Sequence, residues 1–242
     1  MVLDEESQDI LVLSSRQAGK STVCAAKALH VALRRPGSLV AIVAPSARQS
    51  QYLLTKVLEM IARLHVGTER ESAERIVLKN RSHIIALPGL ERNIRGLSAP
   101  NLVIADEAAR IDDELYAALR PMVVVSKSRG MGQFIAISTP YGKRGWFYRA
   151  WAEEHDGWLK IRVTALDVPR ISPHVLEQER MKLGDDLFRQ EYMCDFLDDT
   201  GGSLFRVEWF QGALDMSQEA WPIDELRIED VVYRVEEDGG SV

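Results

Sequence analysis

The sequence has few of the features that mark secreted or membrane-spanning proteins. Its 242 residues contain only two cysteines, Cys24 and Cys194, which suits a reducing compartment where both thiols stay free. No apolar run approaches the roughly 20 residues that a membrane-spanning helix needs. The first residues, MVLDEESQD, are acidic at once and so lack the basic start of a secretory signal. We therefore predict a cytoplasmic protein that makes no membrane contact.

The composition predicts a globular domain with a sizeable core. Hydrophobic residues make up 46% of the chain and charged residues 27%, and the length allows one large domain with or without an appendage. Residues 1–165 contain 23 Lys and Arg against 17 Asp and Glu, whereas residues 166–242 contain 7 against 19. A basic body is compatible with a polyanionic partner, and equally with a surface charge that is merely uneven. The histidines and cysteines lack the spacing of a zinc site.

Short apolar runs alternate with longer segments of helical spacing along most of the chain. The apolar runs lack strict alternation, which favours strands of a mainly parallel sheet covered on both faces. They lie at residues 10–14, 39–44, 83–87, 102–105, 133–138 and 159–163. Helices are predicted at residues 20–34, 47–64, 112–124, 173–182 and 185–194. This order predicts an α/β fold with three layers.

A loop suited to phosphate binding stands between the first predicted strand and the first predicted helix. Gly19 allows the backbone to approach phosphates closely, Lys20 is placed to reach the β- and γ-phosphates, and the Ser21 hydroxyl suits Mg²⁺. The usual pattern begins with glycine, where this chain has Ser14. An ordinary turn with a helix cap is the alternative, but it leaves Lys20 unexplained. The predicted nucleotide-binding residues are Ser15, Arg16, Gln17, Ala18, Gly19, Lys20, Ser21 and Thr22.

Two adjacent carboxylates, Asp106 and Glu107, follow the apolar run at residues 102–105. Ligands of open α/β sheets bind at the carboxyl ends of the strands, so these acids are placed to meet a nucleotide. Asp106 is predicted to hold the Mg²⁺ hydration shell opposite Ser21, and Glu107 to orient and deprotonate the attacking water. An acidic helix cap is the alternative. Two further candidate strands lie between the two motifs, which is typical of the additional-strand, RecA-like P-loop NTPases.

Together these residues resemble the ATPase domain of the large terminase subunit of tailed bacteriophages, the motor that pumps DNA into an empty capsid. The resemblance covers residues 10–205, and the opening Ser-Arg-Gln in place of the leading glycine is typical of that family. Its motifs are SRQAGKS at 15–21, IRGLS at 94–98, VIADEAA at 103–109, AISTPYGKRGWFY at 136–148 and FRQEYMCDF at 188–196.

The resemblance implies ATP hydrolysis with Mg²⁺ that drives double-stranded DNA into a procapsid. Arg16, Lys20 and Glu107 would be catalytic, with the Arg16 guanidinium on the γ-phosphate. A loop arginine facing solvent is the alternative for Arg16. Ser138 and Thr139 would couple hydrolysis to domain movement, although Ser-Thr-Pro at a strand end is also a common turn. The implied partners are DNA, the portal, the small terminase subunit and further copies of this chain in a ring, in the host cell cytoplasm.

Two departures from the family pattern concern the ends of the chain. The upstream aromatic-glutamine element that holds adenine in this family has only a poor counterpart in Gln8, which has no aromatic neighbour, so specificity for adenine stays open. Only 37 residues follow Phe205, well below the ~100 that a ribonuclease H-like nuclease domain would occupy. We therefore expect a P-loop ATPase domain at residues 1–199 and a linker with an acidic tail at residues 200–242, without nuclease activity.

The DNA contacts and the kind of ATPase stay open at this stage. A motor must grip DNA of any sequence, so contacts to phosphates are expected. Arg95 is placed to contact either phosphate or DNA. A helicase-like nucleic-acid ATPase and a truncated terminase that binds nucleotide without turnover are the alternative functions. The candidate contacts, each of which also suits a solvated surface, are Lys79, Arg81, Lys127, Arg129, Lys143 and Arg144.

Overall fold

The strands and helices lie in residues 9–88, 99–153 and 157–198, which are the residues that the structure, a computed structural model, describes. The strands are β1 (Asp9–Ser14), β2 (Leu39–Ala44), β3 (Thr68–Glu71), β4 (Arg75–Leu78), β5 (His83–Pro88), β6 (Leu102–Asp106), β7 (Gln133–Ser138) and β8 (Trp158–Val163). The helices are α1 (Lys20–Arg34), α2 (Ala47–Arg63), α3 (Asp113–Ser128), α4 (Gly145–Ala152), α5 (Pro173–Leu183) and α6 (Asp185–Glu191). Short 3-10 helices, Ala108–Arg110 and Ala165–Asp167, follow β6 and β8.

All of these strands belong to one sheet, in the order β3-β4-β5-β2-β6-β7-β1-β8. From β5 onward in this order the strands run parallel, whereas β3, β4 and β5 pair antiparallel at one edge. β7 lies between β1 and β6, so the strand before the phosphate loop does not neighbour the strand before the acidic pair. The predicted three-layer, mainly parallel fold of the additional-strand P-loop NTPases is therefore confirmed.

Side chains on the two faces of the sheet enter separate hydrophobic layers. Ile10 and Val12 of β1 pack in one cluster with α1 and α2, whereas Leu11 and Leu13 pack in the other with α3 and α4. All four side chains are almost fully buried. Because both faces of the parallel strands are covered, the strand sequences are continuous apolar runs.

The structure adds elements that the sequence pattern did not indicate. β3 and β4 form a hairpin at the sheet edge, and the β3 sequence TERE has no apolar run because its side chains are mostly exposed. α4 is only eight residues long. All the predicted strands and helices are present, with ends that differ from the predicted ones by at most four residues.

Several predictions concern residues outside the described ranges. They include Gln8, Arg95, and the linker and acidic tail at residues 200–242. The division of the chain at residue 199 and the expected lack of nuclease activity therefore stay predictions. In the described segments, no helix combines the length and the apolar character needed to cross a membrane.

Candidate nucleotide-binding site

The carboxyl ends of β1, β6 and β7 bring three sequence motifs to one edge of the sheet. These strands are parallel neighbours, and Leu13 of β1 lies opposite Ser138 of β7. On the other side of β7, Asp106 lies opposite Ile137. The phosphate loop, the acidic pair and the Ser-Thr pair therefore begin at the same level of the sheet, although they are far apart in the chain.

The phosphate loop leaves its backbone amides open. The N–H groups of residues 17–21 donate to no acceptor within the described part of the chain, so they are available to a ligand at the start of α1. Gly19 has a φ of 93°, a region that favours glycine. Within 4 Å, a Cβ at Gly19 would meet only the Arg170 guanidinium, at 3.6 Å. The backbone conformation, and not crowding by the protein, therefore requires glycine here.

Lys20 and Glu107 meet at this edge of the sheet. The Lys20 Nζ atom lies 3.6 Å from the Glu107 Oε1 atom, and the two side chains are 11% and 27% exposed. Glu107 has a φ of 50°, a left-handed conformation that is uncommon for a non-glycine residue. The structure thus brings the loop lysine and the acidic pair together, as a shared triphosphate site requires.

Asp106 is a buried carboxylate with little compensation. The residue is 7% exposed, and its Oδ1 atom accepts a hydrogen bond of 3.0 Å from the backbone N–H of Glu107. Burial, assisted by the charge of Glu107, raises the pKa of Asp106 to about 6, although the Lys20 ammonium opposes this shift. A cation beside Asp106 would therefore stabilise its charged form.

The structure pairs Arg16 with Glu191 at the end of α6. The Arg16 guanidinium donates to the Glu191 carboxylate, and the Arg16 backbone N–H donates to the Glu191 carbonyl oxygen at 3.1 Å. Glu191, and more weakly Glu107, raise the pKa of Arg16, so the guanidinium lies within the electrostatic range of the acidic pair. A role of Arg16 at the γ-phosphate requires the ion pair with Glu191 to open, and it stays a prediction.

Two buried hydroxyls at this edge have no partner. The Oγ atoms of Ser15 and Ser138 are fully buried and contact no hydrogen-bonding group among residues 9–88, 99–153 and 157–198. Thr139, the second predicted coupling residue, is 3% exposed. Because a buried hydroxyl without a partner costs free energy, its presence suits a site where a ligand supplies the missing hydrogen bond.

A cavity of about 310 Å³ opens beside the phosphate loop. Its walls include Tyr52, Lys56 and Arg170, which the sequence motifs did not indicate. Tyr52 and Lys56 lie one turn apart on α2, which directly follows β2. Helices that follow parallel strands begin at the ligand-binding edge, so the position of α2 in the sequence could have indicated these two residues. Arg170 donates a hydrogen bond to the Gln17 carbonyl oxygen, a contact that no sequence signal indicates. The other lining residues are Gln17, Gly19, Lys20, Ser21 and Thr22.

The candidate DNA contacts do not share one surface. Lys79 and Arg81 precede β5 and Arg129 precedes β7, so these three lie toward the amino ends of the parallel strands. The Lys127 Nζ atom lies 2.5 Å from the Oδ2 atom of the buried Asp9. This ion pair gives Lys127 a structural role.

Two other candidate DNA contacts lie beyond the carboxyl end of β7. Lys143 forms an ion pair of 2.8 Å with Asp198. The guanidinium groups of Arg110 and Arg144 lie over the ring of Tyr141, at 4.1 Å and 4.7 Å from its centroid. Basic side chains therefore surround the turn that follows the Ser-Thr pair, and such a surface suits a polyanion.

The fold and the site define a P-loop NTPase, with the phosphate loop after β1 and the acidic pair after β6. The family model described as terminase large subunit, T4likevirus-type, N-terminal, matches residues 11–212. Because this match spans most of the chain, the protein belongs to that family. The resemblance stated from the sequence motifs is confirmed.

The related proteins are terminase large subunits of phages. That of Escherichia phage T5 is 27% identical over 246 residues, which cover 96% of this chain and 55% of that protein. That of Thermus virus P23-45 is 27% identical over 222 residues, which cover 75% of this chain and 44% of that protein. The chain thus spans about half the length of the relatives that it matches.

Solved terminase structures share the fold. The ATPase domain of the Thermus phage P74-26 large terminase gives a TM-score of 0.68 at 24% identity, covering 81% of this chain and 92% of that domain. The large terminase of the thermophilic bacteriophage D6E in complex with ADP gives a TM-score of 0.67 at 14% identity, covering 79% of this chain and 48% of that protein. At these identities the similarity shows the fold.

Proposed function

We propose that this chain is the ATP-hydrolysing motor region of a terminase large subunit, which drives double-stranded DNA into a procapsid. The observation that carries the proposal is the meeting of Lys20 and Glu107 at the edge where Asp106 and the open amides of the phosphate loop also lie. Membership of the terminase family supports the reaction class. The D6E terminase structures with ADP and with ATP-gamma-S support nucleotide binding by this fold.

The phosphate loop holds the triphosphate in this proposal. The open N–H groups of residues 17–21 donate to the phosphate oxygens, and the positive end of the α1 dipole favours negative charge at the same place. Lys20 adds a full positive charge at the β- and γ-phosphates. Its side chain is only 11% exposed, so water screens that charge weakly.

Glu107 acts as the general base. Its carboxylate orients the attacking water and accepts the proton of that water, while the γ-phosphoryl group moves to the water oxygen and ADP leaves. Because the Lys20 Nζ atom lies 3.6 Å from the Glu107 Oε1 atom, the general base is next to the β- and γ-phosphates that Lys20 contacts. The left-handed backbone of Glu107 keeps the carboxylate at this place.

Ser21 and Asp106 fit the donor set of a magnesium nucleotide. Mg²⁺ keeps several waters and is usually held by one or two protein oxygens together with substrate phosphates. The Ser21 hydroxyl at the start of α1 and the poorly compensated Asp106 carboxylate offer such oxygens. When bound, Mg²⁺ neutralises charge that develops on the phosphate oxygens.

Arg16, Ser138 and Thr139 respond to the γ-phosphate. Arg16 leaves Glu191 and places its planar cation on the γ-phosphoryl oxygens, where it stabilises the transition state. The buried Ser138 hydroxyl, which has no partner among the described residues, donates a hydrogen bond to a γ-phosphate oxygen. With Thr139, it relays the loss of that phosphate to neighbouring segments.

The proposed partners follow from the family and from the basic side chains that follow β7. Double-stranded DNA is held through its phosphates, and the basic side chains after β7 offer contacts for it. The portal, the small terminase subunit and further copies of this chain in a ring are the proposed protein partners. The proposed location is the host cell cytoplasm.

Phosphate release in the presence of Mg²⁺, with and without duplex DNA, tests the proposal. We expect hydrolysis by the unmodified chain and a loss of about 10³-fold in Lys20→Ala and in Glu107→Gln, because each removes a group that acts in the transition state. Lys182→Ala and Glu59→Gln, which change exposed residues of α5 and α2, are the matched controls and should hydrolyse ATP at the unmodified rate.

Three outcomes would contradict the proposal. Tight ATP binding without any phosphate release would favour a terminase fragment that does not turn over. Strand separation of duplex DNA in the absence of capsid components would favour a helicase-like ATPase. An unchanged rate of hydrolysis in Glu107→Gln would show that Glu107 is not the general base.

A further inference from the structure

The cavity beside the phosphate loop combines cations with one exposed aromatic ring. Its volume of about 310 Å³ is in the range of small-molecule sites. Lys20, Lys56 and Arg170 line it, and no acid in the described ranges does so. This charge suits a polyanionic ligand, and the lining includes the phosphate loop itself.

The cavity begins at the phosphate loop and does not include the acidic pair. Asp106 and Glu107 do not line it, whereas Thr22, which follows the loop lysine into α1, does. Lys20 and Ser21 line the cavity and would hold the phosphates. Glu107 marks the γ-phosphate end, so the nucleoside of a bound triphosphate would extend away from Glu107. The side chains that face this cavity from outside the loop are therefore candidates to contact the nucleoside.

Tyr52 is held on a rigid part of the fold. Its neighbours on α2, Leu53 and Leu54, are buried in the core, and the helix begins with a capping box formed by Ser46 and Gln49. Tyr52 itself is 59% exposed. The helix already fixes the backbone of Tyr52, so only the two side-chain torsions lose freedom when a ligand covers the ring.

One face of the Tyr52 ring contacts the ammonium group of Lys56. The Lys56 Nζ atom lies 4.9 Å from the ring centroid, a cation–π distance. Because Tyr52 is 59% exposed, the ring keeps surface that a flat ligand can cover. Nucleic-acid bases stack on such aromatic faces, and the stacking tolerates different bases because each has a π-face.

We propose that the Tyr52 ring stacks on the base of the bound nucleoside triphosphate, so that α2 supplies the base contact of this site. The inference rests on the proposed function, because it assumes that the cavity receives a nucleoside triphosphate. It predicts that the site binds the base through stacking and discriminates weakly between purines.

Calorimetric titrations with ATP and with inorganic tripolyphosphate test the inference on the full chain. Tyr52→Ala should weaken ATP binding about tenfold and change tripolyphosphate binding by less than about twofold, because only ATP carries a base. GTP binding should weaken to the same extent as ATP binding. Tyr52→Phe, which keeps the ring, should bind ATP like the unmodified chain.

Leu64→Ala is the matched control, because Leu64 is an apolar residue at the other end of α2 that is 64% exposed. It should change neither titration. Equal weakening of ATP binding and tripolyphosphate binding in Tyr52→Ala would overturn the stacking role. Unchanged ATP binding would overturn it as well, even if DNA stimulated hydrolysis less in this variant. In these outcomes the proposed function stands if Lys20→Ala still abolishes ATP binding. If the unmodified chain binds neither ligand, both the proposed function and the inference are wrong.

Discussion

Asp9 and Asp106 are two buried carboxylates of the same sheet, 5% and 7% exposed. Asp9 begins β1, at the amino ends of the parallel strands, whereas Asp106 ends β6, at their carboxyl ends. Asp9 accepts hydrogen bonds from the Phe134 backbone N–H at 3.0 Å, from Lys127 at 2.5 Å and from Arg120. Among the described residues, Asp106 accepts one hydrogen bond, of 3.0 Å, from the backbone N–H of Glu107. The same chemical group is therefore well paired at the amino edge of the sheet and poorly paired at the carboxyl edge.

Buried hydroxyls show the same contrast between the two edges. Ser82 and Ser138 are both 0% exposed. Ser82, just before β5, accepts from the Ser38 backbone N–H at 3.2 Å and donates to the Arg35 carbonyl oxygen at 3.0 Å. Ser138, at the end of β7, has no partner in the described residues. Of the three buried side-chain polar atoms without a partner among the described residues, the Ser15 and Ser138 Oγ atoms lie at the edge where we propose that the nucleotide binds, and a ligand there would satisfy them. The third is the Nδ1 atom of His30 in α1.

The largest expected effect is at the well-paired carboxylate. Asp9→Ala should lower the free energy of unfolding by about 3 kcal/mol, because it leaves two cations and the buried Phe134 N–H without their acceptor. Denaturant unfolding at neutral pH measures this change. Arg180→Ala, which removes an exposed ion pair with Asp185, should leave the unfolding midpoint unchanged. Equal midpoints for Asp9→Ala and Arg180→Ala would mean that the pairing of Asp9 adds nothing to stability.

Removing the charge of Asp106, the poorly paired carboxylate, should raise the free energy of unfolding, whereas Asp9→Ala lowers it. The pKa of Asp106 in the folded chain, about 6, lies above its ordinary value of 3.8, so ionised Asp106 destabilises the fold. This cost is absent below pH 3.8, grows up to pH 6 and is complete above it. Asp106→Asn keeps the oxygen that accepts the Glu107 N–H and removes the charge. It should raise the free energy of unfolding at pH 7.5 by roughly 2 kcal/mol, at 1.36 kcal/mol per pKa unit less the cost of burying the amide.

Unfolding curves of Asp106→Asn and the unmodified chain at pH 4 and pH 7.5 check this prediction. The difference should be near zero at pH 4 and full at pH 7.5. A variant that is less stable than the unmodified chain at pH 7.5 would show that Asp106 has a compensating partner in the free protein.

The sequence made the site at the carboxyl edge more predictable than the pairing at the amino edge. Lys20 and the acidic pair each follow an apolar strand directly, and parallel strands place such residues at one edge whatever their separation in the chain. No comparable sequence pattern indicates the partners of Asp9. Lys127 lies in α3, remote from Asp9 in the chain, and from its sequence context it was a candidate DNA contact.

Local pattern also explains which parts of the fold were predictable. The buried parallel strands are continuous apolar runs, and the Lys20–Arg34 helix ends before Pro36 and Gly37. The β3–β4 hairpin escaped prediction because one face of its short strands is exposed and charged. The ion pair of Arg16 with Glu191 and the place of Tyr52 in the cavity depend on tertiary packing, which periodicity does not encode.

The smallest expected effect compares the two buried hydroxyls. Ser82→Ala should lower the free energy of unfolding by about 1 kcal/mol, because the Ser38 N–H and the Arg35 carbonyl lose a partner. Ser138→Ala should cost nothing or raise stability slightly, since the hydroxyl that it removes has no partner among the described residues. In phosphate-release assays the order reverses, with about tenfold slower hydrolysis for Ser138→Ala and the unmodified rate for Ser82→Ala, because only Ser138 is at the proposed γ-phosphate. If Ser138→Ala destabilised the free chain as much as Ser82→Ala, its hydroxyl would be a structural group, and the contrast between the two edges of the sheet would hold for the aspartates alone.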